Sequence, residues 1–463
     1  MPPPSPDPAA VLRSRSYVGL LVLAAILGVP ISAAAYGFLA LVAGLQDWLF
    51  TDLPEALGLG GAPSWWPLPL LTLAGILVGL TIRYLPGRGG HSPADGFKAG
   101  GVPSPIELPG VAIAALATLS LGAVLGPEAP LIALGAGLAG WAVQLARRDA
   151  PAQAIAVVAA AGSFAAVSTL LGSPLLGAFL LMEASGLAGP ALGLVLVPGL
   201  VAAGVGSLIF VGLDNWTGLG TFSLALPDVP PFEQPDLAQF AWALVIGVAA
   251  AVLGTGIRRL ALAVRPHVER RLLLATPLVG LAVGALAIVY AQASGHSVSE
   301  VLFSGQDAIG PLISQGATYS VGALLLLVAC KGLAYSASLA GFRGGPVFPA
   351  MFLGAAGGIA LSPLPGLPMV PGVAMGIGAM SVVMLRLPMT SVLLATLFLG
   401  STGLTVIPLV IVGVVVSYVI TLRLPDPGPH VSASAPEPAP VPAPAPAPAP
   451  APEPSPTTTG LTS

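Results

Sequence analysis

Glu128 is a single carboxylate inside a long apolar run, in the stretch Gly126-Pro127-Glu128-Ala129-Pro130. The nearest basic residues along the chain are Lys98 and Arg147. An acid at the centre of a bilayer costs about 3 kcal/mol even on the mildest scale, so it marks function by default. The text from Leu131 onward reads as a helix, which puts Glu128 at a helix N-terminus. Such an end carries roughly half a positive charge and several unpaired N–H groups. Several of these ends converging form an anion site without Lys or Arg. Partial charges also hold an anion weakly enough to release it. A carboxylate tethered there can occupy the anion position itself, and a proton on it would free the site.

The stretch has a second copy. Gly345-Pro346-Val347-Phe348-Pro349-Ala350-Met351-Phe352-Leu353-Gly354-Ala355 matches it at six of eleven positions, at a constant offset (345 − 126 = 219). The copy carries Val347 where the first carries Glu128, so one half supplies a titratable group and the other only backbone dipoles. A third break, Gly100-Gly101-Val102-Pro103, also interrupts apolar text ahead of a helix. Non-helical backbone at membrane depth survives only where it is buried in protein or lines a watery cavity. Three breaks therefore predict three helix N-termini pointing into the protein. Gly100, Gly101, Val102, Gly126, Pro127, Val347 and Phe348 are the candidate anion-binding positions.

The elements that must position these residues are membrane helices. The chain is 55% hydrophobic and 8% charged, with a mean hydropathy of +0.93. Soluble domains carry about 25% charged residues. Long apolar runs broken by Gly and Pro exclude a barrel, whose signal is short alternating segments. A net charge of −3 says little about partners, and the single Cys330 excludes an internal disulfide. The first apolar run, Tyr17 to Leu45, is too long for a signal-peptide core of about 7–15 residues.

Positive charges predict the orientation. Arg13 and Arg15 place the N-terminus inside, and the loop with Asp47, Asp52 and Glu55 falls outside. Arg83, Arg88 and Lys98 return inside, the acidic loop from Asp214 to Asp236 is outside, and Arg258 to Arg271 is inside again. Two related halves starting on opposite sides form an inverted-topology repeat, as in many transporters. We therefore expect an all-α membrane protein built from two inverted repeats, at about residues 17–213 and 239–424, with broken and re-entrant helices. Residues 1–16 are expected to be a cytoplasmic segment. Residues 425–463, rich in Pro and Ala, are expected to be a disordered cytoplasmic tail.

These residues resemble the CLC family of chloride channels and chloride/proton antiporters, over roughly residues 17–422. Gly126 to Pro130 is similar to the family motif G-K/R-E-G-P, with Glu128 in the place of the gating glutamate. Lys331 to Gly358 resembles the stretch that leads into and through G-x-F-x-P, and Ala99 to Pro103 is more faintly similar to G-S-G-I-P. Ser173-Pro174-Leu175-Leu176-Gly177 with Glu183 resembles the N-A-P-L-A-G stretch and its acidic pair. The resemblance implies transport of chloride or a similar small anion, as a passive channel or a proton-coupled antiporter. It also implies a homodimer, expected in the plasma (inner) membrane. No pair of histidines has metal-ligand spacing, so no metal is expected, nor any cofactor or nucleic-acid partner. The sequence departs from the family at four places. Gly100 stands for the coordinating Ser, Val347 for the Phe, and Ala184 for the second acid, which leaves Glu183 as the candidate on a proton path. The coordinating Tyr near the C-terminus has no counterpart.

Other readings stand beside these. Glu128 can be a structural cap, and Glu183 can pair with Lys331 or Arg343. Lys331 and Arg343 themselves are expected to satisfy backbone carbonyls rather than touch substrate. The same helix ends would also suit an inverted-repeat transporter for another anionic substrate. An intramembrane serine enzyme would need Ser163 or Ser185 facing a histidine, and no His lies in a clear spanning segment.

Overall fold

A computed structural model describes residues 12–98, 101–217, 226 and 230–425; for 190, 191, 210 and 214–217 only the backbone is described. The tail expected over 425–463 lies outside the described residues except for Pro425, as do Gly100 and most of the first segment. Fifteen helices carry the argument. The first repeat holds α1 (Arg15–Asp47), α2 (Pro67–Tyr84), α3 (Leu108–Ser120), α4 (Glu128–Ala146), α5 (Ala152–Leu171), α6 (Pro174–Ser185) and α7 (Pro190–Thr217). The second holds α8 (Leu237–Arg270), α9 (Leu272–Ser294), α10 (Gln306–Ser314), α11 (Val321–Gly341), α12 (Val347–Leu361), α13 (Met369–Leu385), α14 (Pro388–Phe398) and α15 (Gly400–Arg423). Among the described residues nine helices are long and apolar enough to cross a membrane, while α3, α6, α12, α13 and α14 are shorter. The α1 span continues through a π-helical turn to Ala56.

The inverted relation of the halves shows in how they pack. Gly79 near the end of α2 lies by Leu272 and Leu273 at the start of α9, while Gly284 of α9 lies against Leu68 at the start of α2. These matched helices run antiparallel, so equivalent connections emerge on opposite faces. The end of α1 and the start of α2 share one face, where the Trp66 indole N–H donates to the Leu49 carbonyl (2.8 Å). The other face is basic. There Arg265 pairs with Asp95, Arg343 reaches the Arg88 carbonyl (3.4 Å), and Arg258, Arg259 and Arg386 line one small cleft beside the end of α15.

Each repeat builds its core on one close helix crossing. Gly135 of α4 sits on the backbone of Gly162 in α5, and Gly354 of α12 sits on the backbone of Gly376 in α13. Gly135 and Gly354 are partners under the repeat offset (354 − 135 = 219). A Cβ on either would collide with the facing carbonyl, so the helices touch backbone to backbone. Without a hydrophobic driving force between helices in lipid, such approach through small residues is what holds them. Behind it α12 and α13 are almost wholly buried, which an ordinary amphipathic surface helix never is.

One expected break differs. The chain after Pro103 makes a turn, and α3 begins only at Leu108, so Gly101 and Val102 do not head a helix directly. Pro103 and Pro105 disfavour a helical residue before each of them and remove donors. The Glu107 carboxylate instead accepts the Ser104 N–H (2.7 Å) and closes the turn.

Candidate functional site

The two matched breaks meet. Gly126 and Gly345 form an isolated antiparallel bridge, each N–H donating to the other's carbonyl (2.8 and 2.6 Å). This bridge aims the N-termini of α4 and α12 at one place. Pro127 and Pro346 occupy the cap positions and supply no side-chain cap. Side-chain caps occur on only some of the other helices: Ser14 caps α1, Ser173 caps α6, Ser320 caps α11, and Asp236 with Gln239 makes a capping box on α8. The starts of α4 and α12 have open N–H groups, and unlike the other uncapped starts they face one another, which suits an anion site.

Glu128 fills that opening. Its side chain is fully buried, and Oε1 accepts the Phe348 N–H (3.0 Å) from the start of α12. The backbone N–H groups of Val347 and of Glu128 itself also face the carboxylate. Oε2 has no hydrogen-bond partner among the described residues. A carboxylate from one repeat therefore sits on the positive end of the other repeat's helix. Both bridge glycines are needed here, because a Cβ on Gly126 or Gly345 would collide with the Glu128 carboxyl group.

The α11 helix backs this arrangement with a polar stripe at helical spacing: Lys331, Tyr335 and Ser338. Ser338 Oγ accepts the Val124 N–H (3.1 Å) ahead of the first break. The buried Tyr335 hydroxyl donates to the Pro346 carbonyl (2.9 Å) at the second. Lys331, also fully buried, faces the carbonyls of Glu300, Val301, Leu302 and Phe303 (2.9, 3.2, 2.9 and 3.4 Å) and stands 4.3 Å from the Phe352 ring centroid. Lys331 satisfies carbonyls, as expected. Tyr335 and Glu300 were not candidates from the sequence. The signal for Tyr335 was there, since polar groups at i, i+4 and i+7 in an apolar helix share one face.

A cavity of about 360 Å³ opens on the basic face and reaches the first turn of α4. Its walls include Ala129, Pro130 and Gly344, with Arg88, Lys98 and Arg343 around it. Gly101 and Val102 line this cavity, and Val102 is 42% exposed. Gly126, Pro127, Val347 and Phe348 are buried around Glu128 instead. The candidate residues divide into a buried cluster around Glu128 and the lining of a neighbouring cavity, and Gly100 lies outside the described residues.

Glu183 does not pair with Lys331 or Arg343. Its carboxylate accepts the N–H groups of Met389 and Thr390 (3.0 and 2.8 Å) and the Thr390 hydroxyl (2.7 Å). It caps α14 from a neighbouring helix, because Pro388 at the first helical position leaves the next two N–H groups open. Ser163 and Ser185 both donate to backbone carbonyls, of Ile132 (3.1 Å) and Met182 (2.8 Å). Neither is arranged as a nucleophile.

Two inverted repeats with uncapped helix starts meeting at a buried carboxylate define an ion-transporting membrane protein. The family described as voltage gated chloride channel matches residues 74–422. The chain belongs to this family. It is 28% identical over 405 residues to a protein named ion-transport protein YfeO from Escherichia coli O7:K1, covering 86% of this chain and 91% of that one. Its fold is similar to a slow cyanobacterial Cl⁻/H⁺ antiporter (TM-score 0.70, 19% identity, 88% of this chain and 94% of that one). It is also similar to a CLC-type fluoride/proton antiporter (TM-score 0.64, 21% identity, 88% and 96%).

Proposed function

We propose that the protein conducts chloride or a similar small anion across the membrane, with Glu128 as the gate. The observation that carries this reading is the Glu128 carboxylate lying on the Phe348 N–H, in the position a mobile anion would take between two uncapped helix starts. When the carboxylate is charged it competes with the anion. When it is protonated, its attraction to the helix dipole is lost and the site opens. Membership of the family and the antiporters of similar fold support a small anion as the substrate. In this reading the basic cavity is the cytoplasmic approach, and the positive charge around it supports a cytoplasmic N-terminus and a cytoplasmic end of α15. In this reading the protein is a homodimer with one pathway per subunit.

The proposal is for passive conduction. Ala184 provides no carboxylate, and Glu183 is held by three hydrogen bonds at the start of α14. Neither offers a proton relay to the cytoplasm, so a proton acts at Glu128 without crossing. Purified protein in chloride-loaded liposomes, with the voltage set by a potassium ionophore, should release chloride with no matching change of external pH. Absence of chloride, fluoride and nitrate release would contradict the anion reading. Proton movement in fixed ratio to the anion would replace conduction with antiport.

A further inference from the structure

The repeat builds a second cavity on the opposite face. The segment between α2 and α3 lines the basic cavity through Gly87 to His91, Lys98, Gly101 to Pro103 and Glu107. Its counterpart in the second repeat is 295–320, between α9 and α11. Antiparallel packing of α2 and α9 puts that counterpart on the far side of the protein. There, together with the end of α1, it lines a cavity of about 320 Å³. The cavity floor touches the gate region from that side. The Phe303 N–H donates to the Gly122 carbonyl (3.2 Å), just ahead of the first break, and Gly305 lies against the Phe352 ring of α12.

The two cavities carry opposite charge. Arg88, Lys98 and Arg343 line the first, against the single carboxylate of Glu107. Asp47, Glu300 and Asp307 line the second, which has no Lys or Arg in its wall. The Lys331 ammonium lies behind this segment and donates to its carbonyls. His296 stands 3.6 Å from Glu300, whose carboxylate also accepts the Tyr290 and Tyr319 hydroxyls (2.5 and 3.0 Å). Asp47 and Asp307 also line this cavity, and both are exposed.

We propose that these opposed mouths make the pathway rectify, so that voltage drives anions from the basic, cytoplasmic face outward more readily than inward. The inference rests on the proposed anion pathway. Positive charge around a cleft raises the local anion concentration, and negative charge lowers it. Entry from the cytoplasm is therefore fast and entry from outside slow. Fixed charges cannot move an equilibrium, so the two directions differ only under an applied voltage. The effect is also salt-dependent, because the screening length falls from about 30 Å at 0.01 M to about 3 Å at 1 M.

Right-side-out and inside-out membrane vesicles from expressing cells present the protein in opposite orientations. Radiolabelled chloride at equal concentration on both sides, with the same lumen-negative potassium diffusion potential, gives one release rate for each. At 10 mM salt the right-side-out rate should exceed the inside-out rate by about threefold or more. The ratio should fall toward one at 1 M salt, and in the double variant Asp47→Asn, Asp307→Asn at low salt. Equal rates at low salt, or a ratio unmoved by salt, would overturn the inference and leave the anion pathway standing. No chloride release in either vesicle would overturn the pathway and the inference together.

Discussion

Glu128 fits between the helix starts only because two residues beside it lack side chains. A methyl group on Gly345 would meet the carboxylate, and the flexible acid would give way before the bridged backbone. The loss is one hydrogen bond to a charged group, about 1.5–3 kcal/mol. Gly345→Ala should therefore raise chloride efflux at neutral pH by about tenfold. An unchanged rate in liposomes would mean that the carboxylate does not block the site. Glu183 has a different job. Glu183→Ala should lower stability by about 1–2 kcal/mol, read as a thermal shift in detergent, as loss of any helix cap does. It should leave the pH dependence of flux as it is. At this scale the sequence was informative for Glu128, because an intramembrane acid at a repeated break has few roles. It was silent on the partners of Glu183, which lie 206 and 207 residues away and depend on how α6 meets α14.

Helix crossings explain why the gate stays in register. The α4–α5 and α12–α13 contacts run backbone to backbone at Gly135 and Gly354. Gly354→Ala should push α12 from α13 and cost about 1–3 kcal/mol, as overpacking of a tight core does. Its clearest readout is a lower unfolding temperature. Lys331→Met should be worse, since it leaves four carbonyls facing an apolar side chain, at about 1–3 kcal/mol for each group left unsatisfied. An unfolding temperature near that of the parent would show that the ammonium is dispensable. The breaks at Gly126 and Gly345 were legible because each is followed at once by a helix. The break at Gly100 misled, because two closely spaced prolines, Pro103 and Pro105, postpone the next helix by a turn that the apolar pattern does not reveal.

Across the molecule, the inverted halves put one cavity on each face, with the buried Glu128 carboxylate between the repeats. The repeat was readable from six matched residues, and the basic and acidic connections were readable from the order of charges. What could not be read was the meeting of the halves, because the bridge between Gly126 and Gly345 is made across 219 residues of chain (345 − 126 = 219). That meeting is the core of the account, since it puts a carboxylate of the first repeat on a helix start of the second. Its most direct test is chloride efflux from liposomes as a function of pH, in the parent protein and in Glu128→Gln. The parent should conduct faster as pH falls, because each protonated Glu128 vacates the site. Glu128→Gln, neutral at every pH, should conduct at the parent's acid rate throughout. A pH profile unchanged by this substitution would contradict the assignment of Glu128 as the gate.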